Sequence, residues 1–264
     1  MKKNIFSYSF EEQEKKINYF SLHEEHQNKV IIIIHHFLAQ AEDFFSFAKL
    51  VQQNNPESSC HLLDLPSHGS NDGRSTNINF QEISEAIFQF TSLFRKKKKD
   101  FQSHFIFFGL SSNFFMMKYQ DLTINKNNFY YFIDPVLLKE KRKRHLLLKK
   151  ISHFPKFINI PLKIKIIQKI LYSFSLIDKN ILFNSKTNHY IDIKNLYNLQ
   201  DLILKSSTFF RLSNPNAQEN QFSFYFQKKI TNLLSKINQP SEEIKNSFSY
   251  DKRLDLAFII KKLS

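Results

Sequence analysis

Five consecutive β-branched residues, Val30-Ile31-Ile32-Ile33-Ile34, leave this chain few folds to choose from. A strand with one wet face alternates apolar and polar residues; a strand apolar on both faces must be covered on both. That is the condition of an inner strand in a parallel sheet with helices above and below. Three more segments read the same way: His61-Leu62-Leu63-Asp64-Leu65, Phe105-Ile106-Phe107-Phe108 and Phe129 to Ile133. Between them the apolar period changes from continuous to helical. Ala41 to Gln53 carries Phe44, Phe45, Ala48 and Val51 at helical spacing, and residues 80–95 carry Ile83, Ile87, Phe90 and Phe94 on one stripe. Ser112 to Gln120 supplies a third helix. Ahead of all this, residues 4–10 and 16–23 alternate, which predicts a hairpin. Strand and helix in regular alternation give a doubly wound, mostly parallel α/β sheet, which takes its ligands at the carboxyl ends of the strands.

The rest of the chain is less regular. Residues 1–138 form the amino-terminal half of the core, and residues 139–206 turn helical and basic, broken at Pro155 and Pro161, as a cap inserted over the strand ends. Residues 207–264 then complete the core, with a strand at Thr208 to Leu212, an amphipathic helix from Phe222 to Ile237 and a closing helix at 254–263. No internal repeat or low-complexity linker interrupts this order.

Composition sharpens two expectations. A chain of 264 residues buries about three quarters of its unfolded surface and needs no staples to fold. Its 30 Phe fill the core, while 3 Gly are too few for every turn that needs positive φ, so Asn is expected at many such positions. The single cysteine, Cys60, excludes an internal disulfide framework and suits a reducing compartment. The amino terminus lacks the apolar stretch of a signal peptide, and no apolar run approaches a membrane span, so the expected location is cytoplasmic. A net charge of +14 leaves nucleic acid or an anionic membrane open as a partner. The runs from Arg95 to Lys99 and from Lys139 to Arg144 sit at element ends, where solvated termini are the simpler account.

Three clusters fall at the strand ends: His35-His36-Phe37, Ser67-His68-Gly69 and Gly109-Leu110-Ser111. In this order they resemble the α/β-hydrolase superfamily, especially its small esterase-like members. His35-His36-Phe37 resembles the family's His-Gly-Phe oxyanion loop, Asp64 to Ser70 its Asp-x-x-Gly-His-Gly-x-Ser segment, and Gly109-Leu110-Ser111-Ser112-Asn113 its Gly-x-Ser-x-Gly nucleophile elbow. Asp134-Pro135 closes the next strand as in that family. The resemblance spans residues 16–138. His36, Ser67 and Asn113 stand where the pattern has glycine.

The chemistry implied has a physical basis. A serine on a sharp strand-to-helix turn exposes its hydroxyl at the sheet's edge, beside a helix N-terminus that favours negative charge. Ser111 is the expected nucleophile, and the amides of Phe37 and Ser112 the expected oxyanion donors. The family order then requires an acid and a histidine. No histidine lies near Ser249 to Lys252, where the family places it, and His145 and His153 read as surface residues of the cap. His189, in Asn188-His189-Tyr190, resembles the family's histidine segment leading into a helix, with Asp178 or Asp192 as its acid. If the complete sheet runs over the whole chain, His189 instead lies in the cap, away from Ser111.

No cofactor is expected. His35, His36, His61, Asp64 and His68 gather at neighbouring strand ends but match no metal motif, and Gly69-x-x-x-Gly73 lacks the Lys of a phosphate loop. Two functions stand against each other: a serine esterase or thioesterase taking a small acyl ester through Ser111, and a non-catalytic binding or scaffolding protein that keeps the fold. A salt-sensitive binder of nucleic acid or acidic membrane is the third.

Overall fold

The computed structural model describes residues 1–22, 28–37, 39–71, 78–95, 101–118, 127–133, 135, 159–161, 190–192, 202, 205–206, 222–227, 242–244 and 263. Its centre is a sheet of eight strands. In chain order these are β1 (Lys2–Phe10), β2 (Gln13–Leu22), β3 (Lys29–Ile34), β4 (Ser58–Leu63), β5 (Gln102–Phe108), β6 (Asn128–Ile133), and two that follow further on, β9 (Phe222–Gln227) and β10 (Glu242–Ile244). Between β6 and β9, β7 (Asn159–Pro161) and β8 (Tyr190–Asp192) make a separate antiparallel pair. The sheet order is β1-β2-β4-β3-β5-β6-β9-β10. β1, β2 and β4 pair antiparallel, and every other neighbouring pair is parallel. The chain order reverses between β3 and β4, so the crossovers run outward in both directions from the middle of the sheet.

The alternation of side chains along β3 explains why both faces are covered. Val30, Ile32 and Ile34 join one core with Phe105, Phe107 and Phe132, under helices α2 (Phe80–Arg95) and α3 (Leu110–Met117). Ile31 and Ile33 join the opposite core with Ile106, Phe108 and Cys60, under helix α1 (Phe45–Asn54), which a 3₁₀ turn at Ala41–Phe44 introduces. Each fully buried Phe or Ile contributes about 1.5–3 kcal/mol of transfer free energy, so β3 and β5 anchor everything attached to them. Burial drives the Cys60 thiol pKa up to about 12.

Three expectations need correction. Phe222 to Gln227 is a strand: Phe222, Phe224 and Phe226 also alternate with period two, and pairing with β6 decides between the two periods. Part of the segment expected to be helical, 139–206, is extended, with Asn159 opposite Asp192 and Pro161 opposite Tyr190. Tyr190 thus begins a strand rather than a helix; among the described residues β7 pairs on one side only, an edge position where proline is tolerated. Finally, none of the described residues at positive φ is Asn: they are Glu11, Glu12, Ser67, Gly69 and Gly109. Glu11 and Glu12 form the two-residue hairpin turn between Phe10 and Gln13, where matching the strands' twist demands positive φ at both positions. The strand expected at Thr208 to Leu212 and the closing helix at 254–263 lie, apart from Leu263, outside the described residues.

Candidate functional site

β3, β4 and β5 are parallel and end together at Ile34, Leu63 and Phe108, which brings the segments after them side by side. After β4 the chain turns around a buried carboxylate. Asp64 Oδ1 accepts the Ala41 amide at 2.7 Å, and Oδ2 accepts the Ser70 amide at 2.8 Å and the Ser70 hydroxyl at 2.7 Å. The side chain is wholly buried, so these donors replace the water it has lost. Asn71 binds the backbone carbonyl of Asp64 at 2.9 Å and, through Oδ1, accepts the amide of Asn18 on β2 at 2.7 Å.

His35 joins this loop to β3. Its Nδ1–H donates to the His36 carbonyl at 2.8 Å, and its Nε2 accepts the Leu65 amide at 3.1 Å. Asp64 Oδ1 stands 3.6 Å from Nε2, but a nitrogen that accepts an amide proton carries none itself, so this is not an ion pair. Complete burial holds the His35 pKa below its ordinary value, against the opposing pull of Asp64. His68 is anchored likewise, Nδ1–H to the Pro66 carbonyl at 2.7 Å, and its ring lies 5.2 Å from that of Phe37.

The decisive geometry is at the end of β5. The strand runs through Phe108, helix α3 begins at Leu110, and the turn between them is the single residue Gly109, at φ 56° and ψ −126°. The expectation that Ser111 stands on that turn is therefore corrected: Ser111 is the second residue of the helix. It is fully buried, and its hydroxyl donates to the His35 carbonyl at 2.5 Å. Its side chain bridges α3 to β3. The Ser112 amide, expected to hold an oxyanion, donates to the Gly109 carbonyl at 3.1 Å, and the Ser112 hydroxyl to the Phe107 carbonyl at 3.2 Å. Phe37 is buried against Phe80 and Phe114, and its carbonyl accepts His36 Nδ1–H at 2.7 Å. Asn113, which stands where the elbow pattern has glycine, donates through Nδ2 to the Ser206 hydroxyl at 2.8 Å, fastening that residue to α3.

His189, Asp178, His145 and His153 lie outside the described residues, as do Lys96 to Lys99 and Lys139 to Arg144. Asp192 is placed on β8 by its backbone. Among the described residues no histidine or carboxylate is hydrogen-bonded to Ser111, and no three His, Cys, Asp or Glu side chains converge as metal ligands. His61 is directed elsewhere, its ring 4.8 Å from that of Phe94. Arg95 is folded back, its guanidinium over the Phe88 ring at 4.6 Å and donating to the Phe88 carbonyl at 3.1 Å. Beside the β4 loop an open cleft of about 500 Å³ is lined by Lys15, Lys16, Asn18, Ser67, Asn71 and Glu82. The Lys15 ammonium and the Tyr8 hydroxyl both reach Glu82 Oε1, at 2.9 and 2.7 Å.

Neither a family model nor a curated protein matches the sequence. Among solved structures the chain is similar to a monoglyceride lipase from Saccharomyces cerevisiae, at 12% identity over 100% of this chain and 97% of that one, with a TM-score of 0.59. A thermostable carboxyl esterase from Bacillus coagulans gives 10% identity over 100% and 97%, with a TM-score of 0.63. The thioesterase domain from the curacin biosynthetic pathway gives 11% over 100% and 99%, with a TM-score of 0.59.

Proposed function

We propose, from the premise that this chain has the α/β-hydrolase fold, that it is a non-catalytic binding or scaffolding protein rather than a serine esterase acting through Ser111. The observation that carries this reading is the glycine at the strand-to-helix turn. A nucleophile on that turn projects from the top of the sheet; a serine one step into the helix is buried, and here its hydroxyl already donates a hydrogen bond to the His35 carbonyl. A backbone carbonyl cannot take that proton as a base, and an unassisted serine is a poor nucleophile at neutral pH. The Ser112 amide is likewise committed to Gly109, and holding an oxyanion would break that bond.

The polar cleft between β2 and the β4 loop supports a binding role, because it offers charged and hydroxyl-bearing side chains on a frame the core holds rigid. The buried cysteine fits the cytoplasmic setting that belongs to the same proposal. The competing esterase reading, with a small acyl ester as substrate, draws its support from the lipase, esterase and thioesterase folds the chain resembles. It requires Ser111 to leave the His35 carbonyl and find a base, for which His189 is the candidate, with Asp178 or Asp192 as its acid. Incubation of folded protein with a fluorophosphonate probe and with short-chain aryl esters separates the two. We expect no labelling and no turnover. Labelling or turnover that disappears in Ser111→Ala would overturn the non-catalytic reading.

A further inference from the structure

A glycine at a strand-to-helix turn leaves, at the top of the sheet, a space the size of the side chain that is missing. Protein interiors are packed to crystal density and rarely keep such a space empty. Here the neighbouring strand's end fills it. An ideal Cβ built on Gly109 would overlap Cδ2 and Nε2 of His36 and stand 2.9 Å from its Cγ. The imidazole therefore lies where an elbow side chain would begin. It is held there: His36 Nδ1–H donates to the Phe37 carbonyl at 2.7 Å, and the residue is 5% exposed. The segment carrying it is fixed from both sides, since the His36 carbonyl accepts His35 Nδ1–H at 2.8 Å and the Ala39 amide at 3.0 Å.

We propose that Gly109 and His36 are a seat and its plug: the His36 ring occupies the place of the elbow nucleophile, and the site beneath it is an azole-shaped pocket that this chain fills with its own side chain. The inference rests on the non-catalytic reading and deepens it, because it names what closes the site. Two consequences follow from the geometry. A side chain at position 109 requires the ring to leave, so the two positions are energetically one unit. And removing the ring leaves a pocket beside the α3 N-terminus, with the Phe37 carbonyl still in place to accept an N–H. Free imidazole, or another small planar azole with an N–H donor, has the matching shape and chemistry; buried cavities of ring size do bind ring-sized ligands.

Thermal unfolding of the wild type, Gly109→Ser, His36→Gly and the double variant, each with and without added imidazole, tests this. In the wild-type background Gly109→Ser should lower Tm by about 10 °C or abolish folding; in the His36→Gly background it should cost less than half as much, leaving only the strain of positive φ. Imidazole should raise the Tm of His36→Gly saturably, leave the wild type unmoved, and lose its effect in the double variant, where serine fills the seat. If Gly109→Ser alone does not fold, the comparison of His36→Gly with the double variant carries the test. Additive losses at the two positions, or a His36→Gly protein that imidazole does not stabilise, would overturn the proposal. So would a His36→Gly protein that folds neither alone nor with imidazole, since a plug is replaceable by its own ring. The readout is stability, so Ser111-dependent hydrolysis would contradict the non-catalytic reading without altering these Tm comparisons.

Discussion

The loop after β4 and the turn after β5 meet the same demand by different physics. Each places a glycine at positive φ, Gly69 at 51° and Gly109 at 56°, and each packs that glycine against a side chain with no room for a Cβ. At Gly69 the neighbour is the Asp64 carboxylate, whose Oδ1 would lie 2.5 Å from an added Cβ. That group is a buried charge saturated by directional donors from two separate segments, at Ala41 and Ser70. At Gly109 the neighbour is the His36 ring, which meets the glycine through the volume it fills. A loop held by bonds to a charge fails when the charge goes, whereas a turn held by filled space fails when the space is overfilled or emptied. The β4 loop is a fastening; the β5 turn is a fit.

The largest effect should come from the fastening. Asp64→Ala orphans the buried Ala41 amide and breaks both bonds to the more exposed Ser70, and should cost about 3 kcal/mol in urea unfolding, at roughly 1–3 kcal/mol for an orphaned buried donor plus the lost loop bonds. A loss no bigger than that of a surface substitution would break the contrast. Gly69→Ala should cost about 2–3 kcal/mol, from positive φ and from pushing the carboxylate off its donors. Combined with Asp64→Ala, its added cost should shrink to the φ component alone, and a double-mutant cycle measures this.

Acid should act next. His35 and His104 both have pKa values below the ordinary histidine range: His35 chiefly through burial, and His104, lowered to about 3, through burial and then the nearby Lys29 ammonium. Both rings are neutral when folded, whereas in the unfolded chain they take up a proton below about pH 6.5. The unfolded state then binds more protons, so the stability these rings contribute is full above that pH and declines as pH falls, for His104 down towards 3. The slope should be about 1.4 kcal/mol per pH unit for each histidine. His104→Gln should flatten the slope measured by unfolding at stepped pH, and an unchanged slope would show that His104 plays no part in it. The smallest effect is a gain: Glu11→Asn with Glu12→Gly gives the hairpin the residues its turn prefers, and should add about 1 kcal/mol.

Much of the scaffold could be read from the chain because burial leaves a periodic mark. The β-branched run at Val30 to Ile34 announces a two-faced strand, and the stripe Ile83, Ile87, Phe90, Phe94 announces the helix that covers it. The Asp64 loop was visible through a resemblance, Asp64 to Ser70 matching the Asp-x-x-Gly-His-Gly-x-Ser segment apart from Ser67. The β5 turn was not. Gly109 and Ser111 fit the elbow motif when the glycine is taken as the residue before the turn, and the apolar run Phe105 to Phe108 carries no mark of where the strand stops. The available signal was scarcity: with 3 Gly in the whole chain, one placed directly after a buried strand belongs to the turn itself. That reading moves the serine into the helix. Nothing in the sequence shows that His36 enters the same space, because the contact joins positions far apart in the chain through parallel pairing of β3 and β5. Phe222 to Gln227 failed for a different reason, its aromatic residues satisfying two periods at once, with only the sheet to choose between them.

The non-catalytic reading turns on where residue 111 sits, and a thiol can report that directly. Ser111→Cys puts a reactive group of nearly the same size at that position, in a protein whose natural Cys60 is fully buried, with its pKa raised to about 12. Dithionitrobenzoate added to the folded variant should find both thiols protected, with the introduced thiol reacting only as fast as the protein unfolds and no faster than Cys60. Rapid labelling of one thiol per folded molecule, with Cys60 still silent, would place residue 111 on an exposed turn and contradict its burial in α3.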